Sequence, residues 1–173
     1  MKLITGEMFE LAKNYNAMCI TTNGFRKENG EGVMGRGCAK TAADKWPQLP
    51  RLLGNAIRQN GNKTQILATV GDLTIVAFPT KKDFGFCAKD GENVVSHMVA
   101  RFKPGNKVPG WALKSDYSLI ELSARQLVDL ANYYRWKKVI LPKPGCGFGE
   151  LDWNKVESIL SSILDDRFDV VTF

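Results

Sequence analysis

Two glycine-rich loops, each lying between a short apolar run and the start of a helical pattern, constrain this chain more than any other feature. The first, Glu31-Gly32-Val33-Met34-Gly35-Arg36-Gly37-Cys38-Ala39, comes after the strand-like run Ala17 to Thr22 and opens into a helical pattern. The second, Gly145-Cys146-Gly147-Phe148-Gly149, follows Val139-Ile140-Leu141-Pro142 and precedes a helix that Asp152 is placed to cap. Glycine lacks a Cβ, so backbone N–H groups in such loops approach an anion closely, and the helix that follows adds its positive dipole end. In an open α/β sheet the carboxyl ends of the parallel strands share one edge, and ligands bind in the crevice there. Two loops of this kind can therefore face one site, and a ligand with two phosphates and two sugars fits it. A single glycine loop would carry little weight, since glycines also serve simply to turn chains.

The rest of the chain alternates strand-like and helix-like runs, which is α/β patterning. Lys2 to Thr5 reads as a strand, Glu7 to Lys13 as a short helix, and Arg36 to Trp46 as a loop leading into a helix. Gln48 to Gln59 carries Leu49, Leu52, Leu53, Ala56 and Ile57 at helical spacing. Thr64 to Val70 and Leu73 to Phe78 read as a hairpin around Gly71-Asp72. Ser118 to Glu121 has the capping-box form, predicting a helix with Leu122, Leu127, Val128, Leu130 and Ala131 as its buried stripe. Lys137 to Leu141 is a buried strand, Val156, Ile159, Leu160 and Ile163 mark the helix after Asp152, and Asp169 to Phe173 closes the chain as a strand.

At 173 residues and 44% hydrophobic content, one domain with a proper core is expected over residues 1–173. No run approaches the ~18 apolar residues needed to span a bilayer, so no membrane partner and a cytoplasmic location are expected, and the chain reads as a monomer. Cys19, Cys38, Cys87 and Cys146 show no C-x-x-C spacing, so free thiols are expected rather than zinc or disulfides; no metal and no cofactor are assigned. His97, the sole histidine, has no recognisable catalytic partner and reads as structural or exposed. A net charge of +6 favours anionic partners without choosing among them. A dinucleotide dehydrogenase is disfavoured, because the glycine fingerprint after a first strand, with its acidic residue ~20 positions on, is missing.

Periodicity fails between Phe84 and Lys114, which reads as an insertion at about 84–114 with one short helix, Asn93 to Phe102. Its basic residues and the aromatics Phe84, Phe86, Phe102 and Trp111 suit either a surface that meets a polyanion with stackable bases or a small satellite core.

The order of elements, with Gly-Val-Met-Gly-Arg-Gly-Cys-Ala at 32–39 and Leu-Pro-Lys-Pro-Gly-Cys-Gly-Phe-Gly-Glu-Leu-Asp-Trp at 141–153, resembles a macrodomain, the ADP-ribose-binding module. The segment Ala77-Phe78-Pro79-Thr80-Lys81-Lys82 looks most like the branch holding the vertebrate terminal ADP-ribose glycohydrolase and the antitoxin macrodomains that strip ADP-ribose from DNA. The resemblance implies a three-layer α/β/α fold with a mixed central sheet. It places Glu7, one methylene longer than the family's usual aspartate, at the adenine amino group, and Asn23 beside the distal ribose. Gly35, Arg36, Gly37 and Cys38 would embrace the diphosphate and distal ribose, and Gly145, Cys146, Gly147, Phe148 and Gly149 would form the other wall.

Lys81 matches the lysine used at the anomeric carbon of the distal ribose in the glycohydrolase branch. A lysine there can attack the ring-opened aldehyde as an amine or stabilise a developing oxyanion as a cation, and Lys82 could assist. A solvated Lys81–Lys82 pair at a strand end is the competing reading. Where the vertebrate enzyme has an aspartate this chain has Gly149, as the antitoxin-like members do; Glu150 ranks first as a substitute carboxylate, ahead of Asp83 and Asp152. The implied function is a hydrolase that removes ADP-ribose from DNA or protein at C1″. The alternatives are an ADP-ribose 1″-phosphate phosphatase and a non-catalytic binder of ADP-ribose or a signalling nucleotide.

Overall fold

The computed structural model describes residues 1–172. In chain order the elements are β1 (Lys2–Thr5), α1 (Met8–Leu11), β2 (Ala17–Asn23), α2 (Gly37–Lys45), α3 (Leu49–Asn60), β3 (Gln65–Val70) and β4 (Leu73–Lys81). There follow β5 (Phe84–Phe86), β6 (Lys107–Pro109), α4 (Tyr117–Tyr133), β7 (Val139–Pro142), α5 (Trp153–Ser161) and β8 (Phe168–Thr172). Six strands form one mixed sheet in the order β1-β8-β7-β2-β4-β3, parallel throughout except for the expected β3–β4 hairpin. Of the expected closing strand, Phe173 lies outside the described residues.

Successive strand residues point to opposite faces, so each central strand feeds two cores. Cys19, Val76, Phe78, Val139 and Leu141 face Ile120, Leu127, Val156 and Leu160 of α4 and α5. Met18, Ile20, Ile75, Ala77 and Ile140 face Met8, Ala42, Leu49 and Leu53 of α1 to α3. This is a three-layer α/β/α sandwich. Among the described residues no helix is long and apolar enough to cross a membrane.

Four sequence expectations need correction. Helix α4 begins one residue before Ser118: Asp116 is the N-cap, its carboxylate accepting from Leu119 N at 3.0 Å. Its buried face is Ile120, Ser123, Ala124, Leu127 and Ala131, while Leu122 is 49% exposed. The short helix in the insertion is a 3₁₀ segment, Ser96–Arg101. The insertion also has a β structure of its own: β5 and β6 pair antiparallel, and Cys87, Val94, Val95, Met98, Val108 and Leu113 bury a satellite core beneath them.

Strand β4 runs past its partner β3, whose pairing stops at Gln65–Ala77. Beyond that point side chains take over the exposed edge. Ser123 Oγ donates to the Pro79 carbonyl at 2.8 Å, and Asn62 Nδ2 to the Lys81 carbonyl at 3.0 Å. On the other edge the register with β2 passes from Thr22–Pro79 to Asn23–Lys81, skipping Thr80. Bulges of this kind re-aim side chains, and this one lies immediately before Lys81.

Asp116→Ala is expected to lower unfolding free energy in urea by ~1 kcal/mol through loss of the cap, whereas Ser118→Ala stays within a few tenths.

Candidate functional site

A cleft of about 860 Å³ opens at the carboxyl edge of the parallel strands, within the range of ligand pockets of ~300–1,000 Å³. The first glycine loop forms one wall through Gly35, Arg36, Gly37 and Cys38, and the second forms the opposite wall through Gly145 to Gly149. Glu7, Asn23 and Lys81 also line it. Residues more than a hundred positions apart are thus brought together by strand order alone.

Each wall has a local cause. No side chain caps α2, so its first-turn N–H groups remain available at the cleft, and Gly37 enters the helix at φ +56°. Arg36 lies over the Phe148 ring at 5.1 Å, joining the two walls by a cation–π contact. Phe148 itself is 52% exposed. The Thr21 hydroxyl and the Cys38 thiol lie 3.1 Å apart, and burial raises that thiol's pKa despite the contact. Burial likewise pushes Cys146 up to about 11, so neither thiol is a thiolate near neutrality.

Asn23 and Glu7 have structural duties within the cleft lining. Asn23 Nδ2 donates to Val33 O at 3.0 Å, and its Oδ1 accepts from Phe25 N, fastening the first loop to the end of β2. Glu7 is the N-cap of α1, accepting from Phe9 N and Glu10 N.

Lys81 projects into the cleft, with Nζ donating to Trp111 O at 3.3 Å and to Phe148 O at 3.2 Å. Burial lowers its pKa to about 8; the Glu150 charge opposes this in part, and Arg36 adds to it. Lys82 is turned elsewhere and pairs with Asp116 at 2.9 Å, so it does not join Lys81. Asp83 accepts from Phe84 N at the start of β5, and Asp152 caps α5 by accepting from Asn154 N.

Glu150 departs from its expected place as a carboxylate in the cleft. It adopts φ +59°, a left-handed conformation uncommon for a residue with a Cβ. Its oxygens accept from Ser96 N at 2.7 Å and Ser96 Oγ at 2.8 Å, and Lys114 Nζ lies 3.4 Å away. Burial raises this carboxyl's pKa, but the bonds from Ser96 and Lys114 outweigh it and hold the group below its ordinary value. The residue fastens the insertion to the second glycine loop.

Gly149 has a packing reason. A Cβ there would lie 2.1 Å from Ser115 Oγ and 2.4 Å from Gly145 O. Sequence reasoning missed Ser115, which lines the cleft, and also Trp111 and His97, which the insertion brings to its rim. Only the aromatic content of the insertion hinted at Trp111, and nothing in the sequence marked Ser115. Among the described residues no group of three His, Cys, Asp or Glu side chains is placed to hold a metal ion.

Gly149→Ala is expected to destabilise the fold by ~1–3 kcal/mol, measurable as a lower Tm, and Ser115→Ala should not rescue it because the Gly145 carbonyl remains in the way.

No protein-family model and no curated protein matches the chain. Solved structures do. The macrodomain of Mycobacterium tuberculosis DarG is 19% identical at a TM-score of 0.68, over 99% of this chain and 97% of that one. The macrodomain of Thermus aquaticus DarG is 19% identical at 0.69, over 99% and 96%. Thermosipho africanus DarTG, solved in complex with ADP-ribose, is 19% identical at 0.68, over 98% of this chain and 41% of that one. With its mixed six-stranded sheet between two helical layers and its cleft at the strands' carboxyl edge, the chain has the macrodomain fold.

Proposed function

We propose that this chain binds ADP-ribose in the cleft and acts as a hydrolase that removes it from a macromolecular adduct at C1″ of the distal ribose. The observation that carries the reading is the position of Lys81, a partly buried amine with a pKa lowered to about 8, held between the two glycine walls. The α2 N-terminus and the glycines of both loops suit a diphosphate, Arg36 supplies a cation beside it, and Phe148 offers an apolar cover. Similarity of fold to a structure holding ADP-ribose supports the same ligand.

Lys81 acts as a neutral amine. As the C1″–O4″ bond breaks and the amine nitrogen bonds to C1″, one amine proton passes to O4″; the bond from C1″ to the carrier then breaks, and the carrier leaves with the second amine proton, giving a Schiff base. Water then adds to the resulting Schiff base, the nitrogen–carbon bond breaks, and ADP-ribose departs as the aldehyde, which recloses to the furanose. The amine returns unchanged. Burial makes this feasible near neutrality, since an ordinary lysine would be almost wholly protonated there.

Release of ADP-ribose from modified DNA and modified protein tests this directly. Lys81→Ala is expected to slow release by roughly 10²-fold or more. Borohydride added during turnover should trap a covalent adduct on Lys81. Release from neither substrate, with Lys81→Ala indistinguishable from wild type, overturns the hydrolase reading. Phosphate freed from ADP-ribose 1″-phosphate alone identifies a phosphatase, and ligand recovered intact throughout identifies a binder.

The pH dependence has a definite sign. Because the neutral amine is the reactant and its pKa is depressed, kcat/KM should rise with pH through about 8 and then level. A profile that falls above that pH would assign Lys81 the role of a cation instead.

A further inference from the structure

The outer face of the β5–β6 hairpin is unlike that of an ordinary surface hairpin. Its inner face is occupied: Val108 is fully buried in the satellite core, and Gly85 packs against Leu113. Alternation then directs Phe84 and Phe86 outward, and they are 38% and 62% exposed. Their rings meet edge to face at 5.9 Å, and Lys107, paired with Phe86 across the hairpin, places its ammonium 4.1 Å from the Phe84 ring centre. Two phenylalanines in contact on a solvent face bring no core packing to the fold. An aromatic pair overlaid by a cation is instead the arrangement on which unpaired bases stack while their phosphates are neutralised.

We propose that this face is a docking surface for a single nucleic-acid strand. Charge favours that occupant over a protein partner. Lys89, Arg101, Lys103 and Lys107 of the insertion are exposed and form no ion pair among the described residues. They outnumber Asp90 and Glu92, the only acidic residues of the same segment. The hairpin is also continuous with the cleft. Gly110, at the end of β6, donates to Asp83 O at 2.7 Å, and Trp111 O accepts from Lys81. Phe84 lies three residues beyond Lys81, at most ~10 Å of extended chain. A strand stacked on Phe84 and Phe86 would therefore present a nucleotide to Lys81 from the side of the insertion. The proposal rests on the hydrolase reading only for this last step, in which the strand becomes the carrier of the ADP-ribosyl group.

Fluorescence anisotropy with unmodified oligonucleotides separates the two. Wild-type protein should bind a single-stranded oligothymidylate more tightly than the corresponding duplex, with affinity falling as salt rises. Phe84→Ala/Phe86→Ala should weaken this binding by roughly tenfold or more, and Lys107→Glu by a smaller factor that shrinks at high salt. Calorimetric affinity for free ADP-ribose should be unchanged in all variants, since none of the three residues lines the cleft. Parallel DNA and RNA oligomers identify which sugar the surface accepts. Wild-type protein that does not bind single strands, or that binds them no better than both variants do, overturns the proposal. Loss of ADP-ribose binding in the wild type with strand binding intact would instead overturn the hydrolase reading and leave this surface standing.

Discussion

The parallel course of β2, β4 and β7 is the constraint from which the rest follows. Because the three run side by side in one direction, their carboxyl ends deliver Asn23, Lys81 and Pro142 to one edge of the sheet. The chain that continues from β2 becomes one wall of the cleft, the chain from β7 becomes the other, and β4 ends between them with its lysine. Binding chemistry is thereby assembled from elements that share no local sequence. The hydrophobic faces of the same strands secure the arrangement, since each central strand buries alternate residues against both helical layers. Displacing β4 by one residue would send Phe78 and Ala77 to the wrong cores as well as moving Lys81.

The insertion modifies this plan without interrupting the sheet. It leaves after β4, builds a small core, and returns at Ser115, whose backbone N–H donates to Gly149 O. Glu150 secures it from the opposite direction through Ser96 and Lys114. A left-handed glutamate is a conformational cost, and three polar contacts offset it. The result is that Trp111, His97 and Met98 complete the rim of a cleft whose floor and walls come from the sheet edge.

The α/β/α layering is legible in the sequence because strand and helix periods differ, and Ala17 to Thr22 or Leu49 to Ile57 show one period each. The two glycine loops are legible because glycines set this closely between a strand and a helix give up side chains at the sheet edge where a ligand's phosphates come nearest the backbone. The hairpin of the insertion is not, since Phe84–Phe86 and Lys107–Pro109 are three residues each, about twenty apart, and leave no local signature. The start of α4 is misplaced in sequence because the capping-box spacing points to Ser118, whereas the folded backbone puts Asp116, two residues earlier, at the cap. Glu150 misleads for a related reason. Nearness in sequence to the glycine loop suggests a carboxylate in the crevice, but the left-handed turn at that residue directs it to Ser96. Ser115 carries no signal at all, because what makes it matter is its packing against a glycine 34 positions later.

The overhang of β4 beyond β3 has a consequence for how the protein behaves among its own copies. A bare strand end with free amides and carbonyls invites a second chain to add on, and a ligand site needs that end unencumbered. Here Pro79 removes one donor outright, while Ser123 and Asn62 occupy the carbonyls of Pro79 and Lys81. Side chains thus perform the work of a missing neighbour strand. The cleft can stay open at this end of the sheet without leaving the overhang of β4 as a margin on which a second copy could add.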